Sequence, residues 1–318
     1  MINIGGNIDM KVVVPNITFS KNKILRNSLL KQFPNSTFND KGIRYIGEEL
    51  IEFLKDAEAI IVGLEKIDAN ILKNLPKLKI ISKYGVGIDN IDISTCIEKN
   101  IKIGWTKGLN STSVAEIVLG FMIGLSRNLF LTSNQLKNGV WNKDGGIELS
   151  NKTVGIIGLG NIGIKVVEFL APFKCKILVN DIENKTDFII KNSLEQVTKE
   201  ELYKRSDIIT IHTPLTESTY NLFNSDVFNK MKKNSILINT ARGGIINEND
   251  LMYALKNNLI FAAAIDVFDI EPPTNPEFSK LENLVCTPHI GGNSTEAVLK
   301  MGISAIDHLI NYKSENSL

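Results

Sequence analysis

The sequence predicts two open α/β units, each built on a parallel sheet. Short apolar runs rich in Val and Ile recur along the chain, each followed by a helix-like stretch. The length, 318 residues, exceeds what one ordinary hydrophobic core holds. A glycine-rich turn, Gly158-Leu159-Gly160-Asn161-Ile162-Gly163, stands between one such run and a helix. Strands covered on both faces need no polar alternation, so they read as continuous apolar strings.

In the first unit, strands are expected at 11–14, 59–62, 79–82 and 101–104, with helices at 21–33, 47–54, 69–75 and 93–99. An apolar helix over 113–131 then serves as a domain spine or a subunit contact, and the polar, Gly-rich stretch after it, to about 150, is a possible arm. The second unit has strands at 153–157, 176–179, 208–212, 235–239, 262–267 and 284–287, with a helix at 162–170. Pro288 closes the last strand, because proline cannot serve a central ladder. The segment 293–312 reads as a closing helix with Asn293 as N-cap and Glu296 at N3, and the tail from Lys313 reads as disordered.

Apolar residues make up 43% and charged residues 22%, a soluble globular balance. Lys and Arg total 36 against 35 Asp and Glu, which gives no electrostatic reason to expect nucleic acid or anionic membrane as partner. No apolar run reaches the roughly 18 to 20 residues that span a bilayer. Met1–Asp9 does not read as a secretion signal. Cys96, Cys175 and Cys286 show neither disulfide nor metal-ligand spacing, so a cytoplasmic protein without a metal site is expected.

The turn at 158–163 is a G-x-G-x-x-G in the strand-to-helix context that a dinucleotide requires. Gly158 permits the turn, Gly160 lets backbone approach a pyrophosphate, and Gly163 lets the helix lie close to the sheet. The anion would sit on the free amides of the helix start, at Asn161 and Ile162. Asp181, ending the next strand, is placed to bind the ribose hydroxyls and to repel a 2'-phosphate, which favours NAD over NADP.

Hydride transfer to a 2-keto acid needs a cation for the carboxylate and a proton donor that titrates near neutrality. The chain has three histidines. His289 follows a strand end, where open α/β sheets place ligands, and is the favoured acid/base. His212 also ends a strand but lacks a carboxylate partner in its local motif, and His308 reads as a surface residue of the closing helix. Arg242, in Asn239-Thr240-Ala241-Arg242-Gly243-Gly244, can grip a carboxylate through two bonds. Glu271 is the candidate to orient His289 and raise its pKa.

These segments, with 266–272 and 288–292, resemble the D-isomer-specific 2-hydroxyacid dehydrogenases, and within them the phosphoglycerate dehydrogenase-like members. The resemblance implies a Rossmann-type NAD-binding domain, 112–288, inserted into a flavodoxin-like substrate domain of 1–111 and 289–318. It further implies a homodimer built on 113–150. Arg242, Glu271 and His289 match the family's substrate arginine, histidine partner and acid/base. Ser113, His212, Thr213, Pro214, Ala241, Asp266, Gly291 and Gly292 match positions lining the nucleotide. Lys83, Tyr84, Gly85 and Val86 match a glycine-rich loop whose amides bind the substrate carboxylate, and Lys83 adds charge for a phosphorylated substrate or is a turn residue. The implied activity is interconversion of a small D-2-hydroxy acid and its 2-keto acid, 3-phosphoglycerate or glycerate among them. The alternatives are an NAD-sensing, corepressor-like interaction protein and a phosphite- or formate-oxidising relative. One departure is Trp105-Thr106-Lys107-Gly108-Leu109-Asn110, where relatives carry an Asn-x-Pro-Gly type of turn.

Overall fold

The computed structural model describes residues 10–315, so the reading of Met1–Asp9 lies outside the described residues. The chain divides into two compact units: the residues up to Asn110 with those from Thr295 onward, and Ser111–Ser294. The return crossing expected at 289 falls instead at Thr295. Asp266 binds the amides of Ile290 and Gly291 and so keeps the His289 turn with the second unit.

The first unit runs β1 (Val12–Val14), α1 (Ile17–Lys21), α2 (Lys23–Gln32), β2 (Thr37–Phe38), α3 (Gly47–Leu54), β3 (Ala59–Val62), α4 (Ala69–Lys73), β4 (Ile80–Lys83), α5 (Ile93–Glu98) and β5 (Lys102–Gly104). Its sheet is parallel with the order β2-β1-β3-β4-β5, a flavodoxin-like arrangement. β1, β3 and β4 are buried along their whole length, which is why they read as unbroken apolar strings. The helix expected over 21–33 is two helices. The Asn22 side chain accepts from the amides of Ile24 and Leu25 and so starts α2 at the residue that ends α1.

The closing helix, Thr295–Glu315, packs on β4 and α2 through Met301, Ala305 and Leu309. A Cβ on Gly302 would lie 2.3 Å from the Leu25 side chain. The helix begins later than the sequence suggests, and Asn293 donates to the His289 carbonyl instead of capping it. It also continues to Glu315, through the start of the expected disordered tail.

The second unit runs α6 (Ser111–Ser126), α7 (Leu129–Lys137), β6 (Thr153–Ile157), α8 (Asn161–Leu170), β7 (Lys176–Asn180), α9 (Thr186–Lys191), β8 (Glu195–Gln196), α10 (Lys199–Arg205), β9 (Ile208–Ile211), α11 (Ser225–Phe228), β10 (Ile236–Asn239), α12 (Glu248–Lys256), β11 (Ala262–Ile265) and β12 (Leu284–Cys286). Its parallel sheet has the order β12-β11-β10-β9-β6-β7-β8, a Rossmann arrangement extended by a strand. The strand order reverses between β6 and β9, and ligands bind at the carboxyl ends of strands flanking such a point.

The expected helix 113–131 breaks at Asn128, which takes the left-handed conformation at φ +51°, and α7 turns from α6 by 66°. α6 is a spine, buried against α8 through Val114, Val118 and Met122, whereas α7 buries no residue. Among the described residues, no single helix is long and apolar enough to cross a membrane.

Candidate active site

The glycine turn follows β6 at the point of strand reversal. Gly158 has φ +93°, and a Cβ there would stand 2.6 Å from the His212 carbonyl oxygen. A Cβ on Gly163 would stand 2.2 Å from the Gly158 carbonyl, so α8 can lie this close only with glycine. Beside Gly160 the space is open, and this residue caps α8 without a side-chain acceptor, leaving the first amides of a ten-residue helix for an anion. The Asp181 carboxylate accepts from the amides of Leu159 at 2.5 Å and Glu183 at 2.8 Å, which fixes it at the mouth of this turn.

Across the turn, His212 Nε2 lies 3.0 Å from Thr210 Oγ1, while His212 Nδ1, Thr213 Oγ1 and Thr240 Oγ1 are buried without a hydrogen-bond partner. Burial pushes the His212 pKa down to about 3, so the ring is neutral at physiological pH. It is a polar wall and not an acid/base. Pro214 accepts from Thr219 at 2.7 Å, closing the loop after β9. A helix start without a cap, a fixed carboxylate and unpartnered polar atoms together fit a dinucleotide.

β10 delivers Arg242. Asn239 is buried at the strand end, where its side chain accepts from the Ala241 amide at 3.0 Å and donates to the Arg242 carbonyl at 2.9 Å. This one side chain shapes the turn that aims the arginine. The turn is also clasped to the one carrying Glu271: Gly244 donates to Asp269 at 2.5 Å, and a Cβ on Gly243 would fall 2.0 Å from the Phe268 carbonyl.

His289 occupies a second built turn, after β12. Asp266, only 1% exposed, accepts from Thr287 Oγ1 at 2.5 Å and from the amides of Ile290 at 2.8 Å and Gly291 at 2.7 Å. The chain wrapped around this carboxylate puts His289 at φ +53°, a conformation uncommon for a non-glycine residue. Ser113, at the start of α6, donates to the Gly291 carbonyl at 2.8 Å.

His289 Nδ1 lies 2.8 Å and 3.0 Å from the two Glu271 oxygens. The hydrogen bond and charge of Glu271 raise the histidine's pKa against the opposing effect of burial and of Arg242. Burial works against the Glu271 carboxylate, but the hydrogen bond and charge of His289 outweigh it, and Glu271 sits below the usual glutamate range.

In the first unit the loop after β4 differs from its expected form. Lys83 is 5% exposed and its ammonium is turned into the loop's base, bonded to the Gly63 carbonyl and to Asn90 Oδ1. The Tyr84 amide donates to Val62 at 2.8 Å, and its ring is buried edge-on to Phe19. The Lys83 ammonium and the Tyr84 amide are thus both engaged in the fold. Gly85, at φ +147°, begins a stretch in which the amides of Gly85, Val86 and Gly87 have no acceptor among the described residues. His308 is a half-buried cluster member, with Nε2 2.9 Å from Thr106 Oγ1 and the ring against Gly104.

Residues 119–291 match the family model described as D-isomer specific 2-hydroxyacid dehydrogenase, NAD binding domain. The chain belongs to that family. This dehydrogenase is 38% identical over 269 residues to the hydroxypyruvate reductase of Thermotoga maritima, covering 82% of this chain and 87% of the relative. It is 40% identical over 259 residues to the D-3-phosphoglycerate dehydrogenase of Methanocaldococcus jannaschii, covering 79% of this chain but 48% of the relative, about half its length. Its fold also matches the NAD-dependent formate dehydrogenase of Staphylococcus aureus in complex with NAD, at a TM-score of 0.83, 31% identity and 97% and 96% coverage of the two chains.

The dehydrogenase therefore interconverts 2-hydroxy and 2-keto acids with NAD as cofactor. Within the second unit the structure brings together Arg242, Glu271 and His289, with Asp266 beneath them. Asp266 and Ser113 bind the His289 turn through the contacts described above. Asn239, Asp269 and Thr287 are structural supports that sequence reasoning missed. A polar residue closing an otherwise apolar strand was the available signal for Asn239.

Proposed function

We propose that this dehydrogenase acts on small, unphosphorylated D-2-hydroxy acids, with glycerate and hydroxypyruvate as the substrate pair. The His289–Glu271 pair beside Arg242 carries the reading. NAD, when bound, accepts or supplies the hydride. Arg242 binds the substrate carboxylate and the C2 oxygen. Within the first unit, the unengaged amides of Gly85, Val86 and Gly87 form a set of donors suited to a carboxylate. Glu271 occupies Nδ1 of His289, which leaves Nε2 to protonate the C2 oxygen in reduction and to take that proton back in oxidation. The charged donors stabilise the alkoxide-like oxygen as it develops.

The same pair argues against formate as substrate. Formate oxidation releases carbon dioxide and moves no proton from a substrate hydroxyl, so it has no use for a histidine whose pKa is raised by a carboxylate. The bound state of the Lys83 ammonium supports an unphosphorylated substrate, because this loop then offers amides for a carboxylate while its lysine is committed to the Gly63 carbonyl and the Asn90 side chain. The match along most of a hydroxypyruvate reductase points the same way.

We further propose a homodimer formed through α7 and the stretch after it, where Leu129, Leu136, Val140 and Trp141 are exposed. The three free cysteines support a cytoplasmic location.

The test is NADH-linked kinetics on hydroxypyruvate, glyoxylate, pyruvate and 3-phosphohydroxypyruvate. A kcat/KM for hydroxypyruvate at least about tenfold above that for the phosphorylated acid is expected, corresponding to roughly 1.4 kcal/mol. Preference for the phosphorylated acid would overturn the substrate assignment.

A further inference from the structure

The Trp105 indole Nε1–H donates to the Val86 carbonyl at 2.7 Å, and the Lys107 ammonium lies 5.0 Å from the Trp105 ring centroid. Val86 lies in the stretch whose amides have no acceptor among the described residues. A trans peptide is planar, with C=O and N–H pointing opposite ways. Fixing the Val86 oxygen therefore fixes the direction of the Gly87 N–H. Hydrogen bonding at the oxygen also polarises the peptide and makes that N–H a stronger donor. Gly87, on one side of this peptide, leaves φ permissive, so the loop's own sequence restricts its rotation only from the Val86 side. Trp105, the residue after β5, supplies the restraint, and the cation over its ring holds the indole in turn.

We propose that Trp105 is a positioning residue for substrate: it locks the Val86–Gly87 peptide in the orientation that binds the 2-keto acid carboxylate. The inference rests on the reading of the Gly85–Gly87 amides as the carboxylate site. It gives a role to a residue that stands where the family resemblance fails.

The chain has two tryptophans, Trp105 and Trp141. In a Trp141→Phe background, Trp105 is compared with Trp105→Phe and with the isostere β-(3-benzothienyl)alanine at position 105, which keeps ring size and loses only the N–H. Both replacements are expected to raise KM for hydroxypyruvate about tenfold while kcat and KM for NADH stay within about twofold, the pattern of lost ground-state and transition-state binding alike. Oxalate, an inert dicarboxylate, is expected to change Trp105 fluorescence in the reference protein and to inhibit both replacements about tenfold more weakly. Unchanged KM and oxalate inhibition in the isostere would overturn the proposal. So would a fall in kcat, NADH affinity and thermal midpoint together, the mark of a purely structural residue. Absence of keto-acid turnover in the reference protein itself would instead sink the functional reading, and is seen before any replacement is made.

Discussion

His289 and Glu271 share a two-oxygen contact, with Nδ1 2.8 Å from Oε2 and 3.0 Å from Oε1, and each stabilises the charged form of the other. The raised histidine pKa extends the protonated form to higher pH than an isolated imidazole allows. In the proposed mechanism reduction uses that proton, so kcat/KM for the keto acid is expected to fall as pH rises through the raised value. Oxidation needs the neutral ring and rises over the same window.

Glu271→Gln keeps a hydrogen-bond acceptor and removes the charge. The alkaline limb of the reductive profile then moves to lower pH, and kcat/KM above neutrality falls by about 10- to 100-fold. Profiles of kcat/KM against pH in both directions check this. A limb that stays in place would assign it to another group.

Asp266 carries the turn on which His289 sits. Asp266→Asn replaces one acceptor oxygen by an NH2 group that must face the donors now held by the carboxylate, from Thr287, Ile290 and Gly291. A cost of about 1.5 to 3 kcal/mol in unfolding free energy is expected for losing a hydrogen bond to a buried charge. A fall in kcat should accompany it as His289 leaves its left-handed conformation. Denaturant unfolding with parallel kinetics separates the two effects; full stability with full activity would show that the turn stands without the carboxylate.

What the sequence made legible follows burial. β3 and β6 were readable to the residue because both are apolar strings covered on two faces. β2 and β8 are two residues each, too short to carry a period. α10 has a reciprocal Thr198–Glu201 capping box, so its signal was present but lay in a polar stretch without an apolar run to draw attention. The break at Asn128 lay inside a continuous apolar composition, where only the asparagine hinted at a left-handed residue. In the site, residue types and spacing named the Arg242, Glu271 and His289 set. Side-chain direction is a different matter. Nothing in the order Lys83-Tyr84-Gly85 says that the ammonium and the ring turn into the fold, which depends on Gly63, Asn90 and Phe19 arriving from elsewhere in the chain.

Asp181 should set cofactor choice. Its carboxylate is pinned by two amides, so it cannot swing away from a 2'-phosphate. Asp181→Ser removes the charge, and the ratio of kcat/KM for NADPH to that for NADH is expected to rise by at least about tenfold. Part of that change is lost NADH efficiency, because the ribose loses an acceptor. Kinetics with the two cofactors at saturating keto acid measure it. An unchanged ratio would place discrimination elsewhere.

α7 has the composition of a helix with a missing neighbour. It buries no residue within its own chain, and Leu129 and Leu136 are 53% and 55% exposed, with Trp141 beyond it at 77%. Apolar area left in water at this density marks an association surface, and each such side chain contributes about 1.5 to 3 kcal/mol when fully buried. Leu136→Asp places a charge in the proposed contact without touching Arg242, Glu271 or His289. Sedimentation velocity is expected to show the wild-type protein as a dimer and the variant shifted toward monomer at micromolar concentration. Charge burial opposes association by more than the lost apolar contact alone, so the shift should exceed that of Leu136→Ala. A wild-type monomer at these concentrations would leave the apolar surface to some other partner and remove the dimer from the functional account.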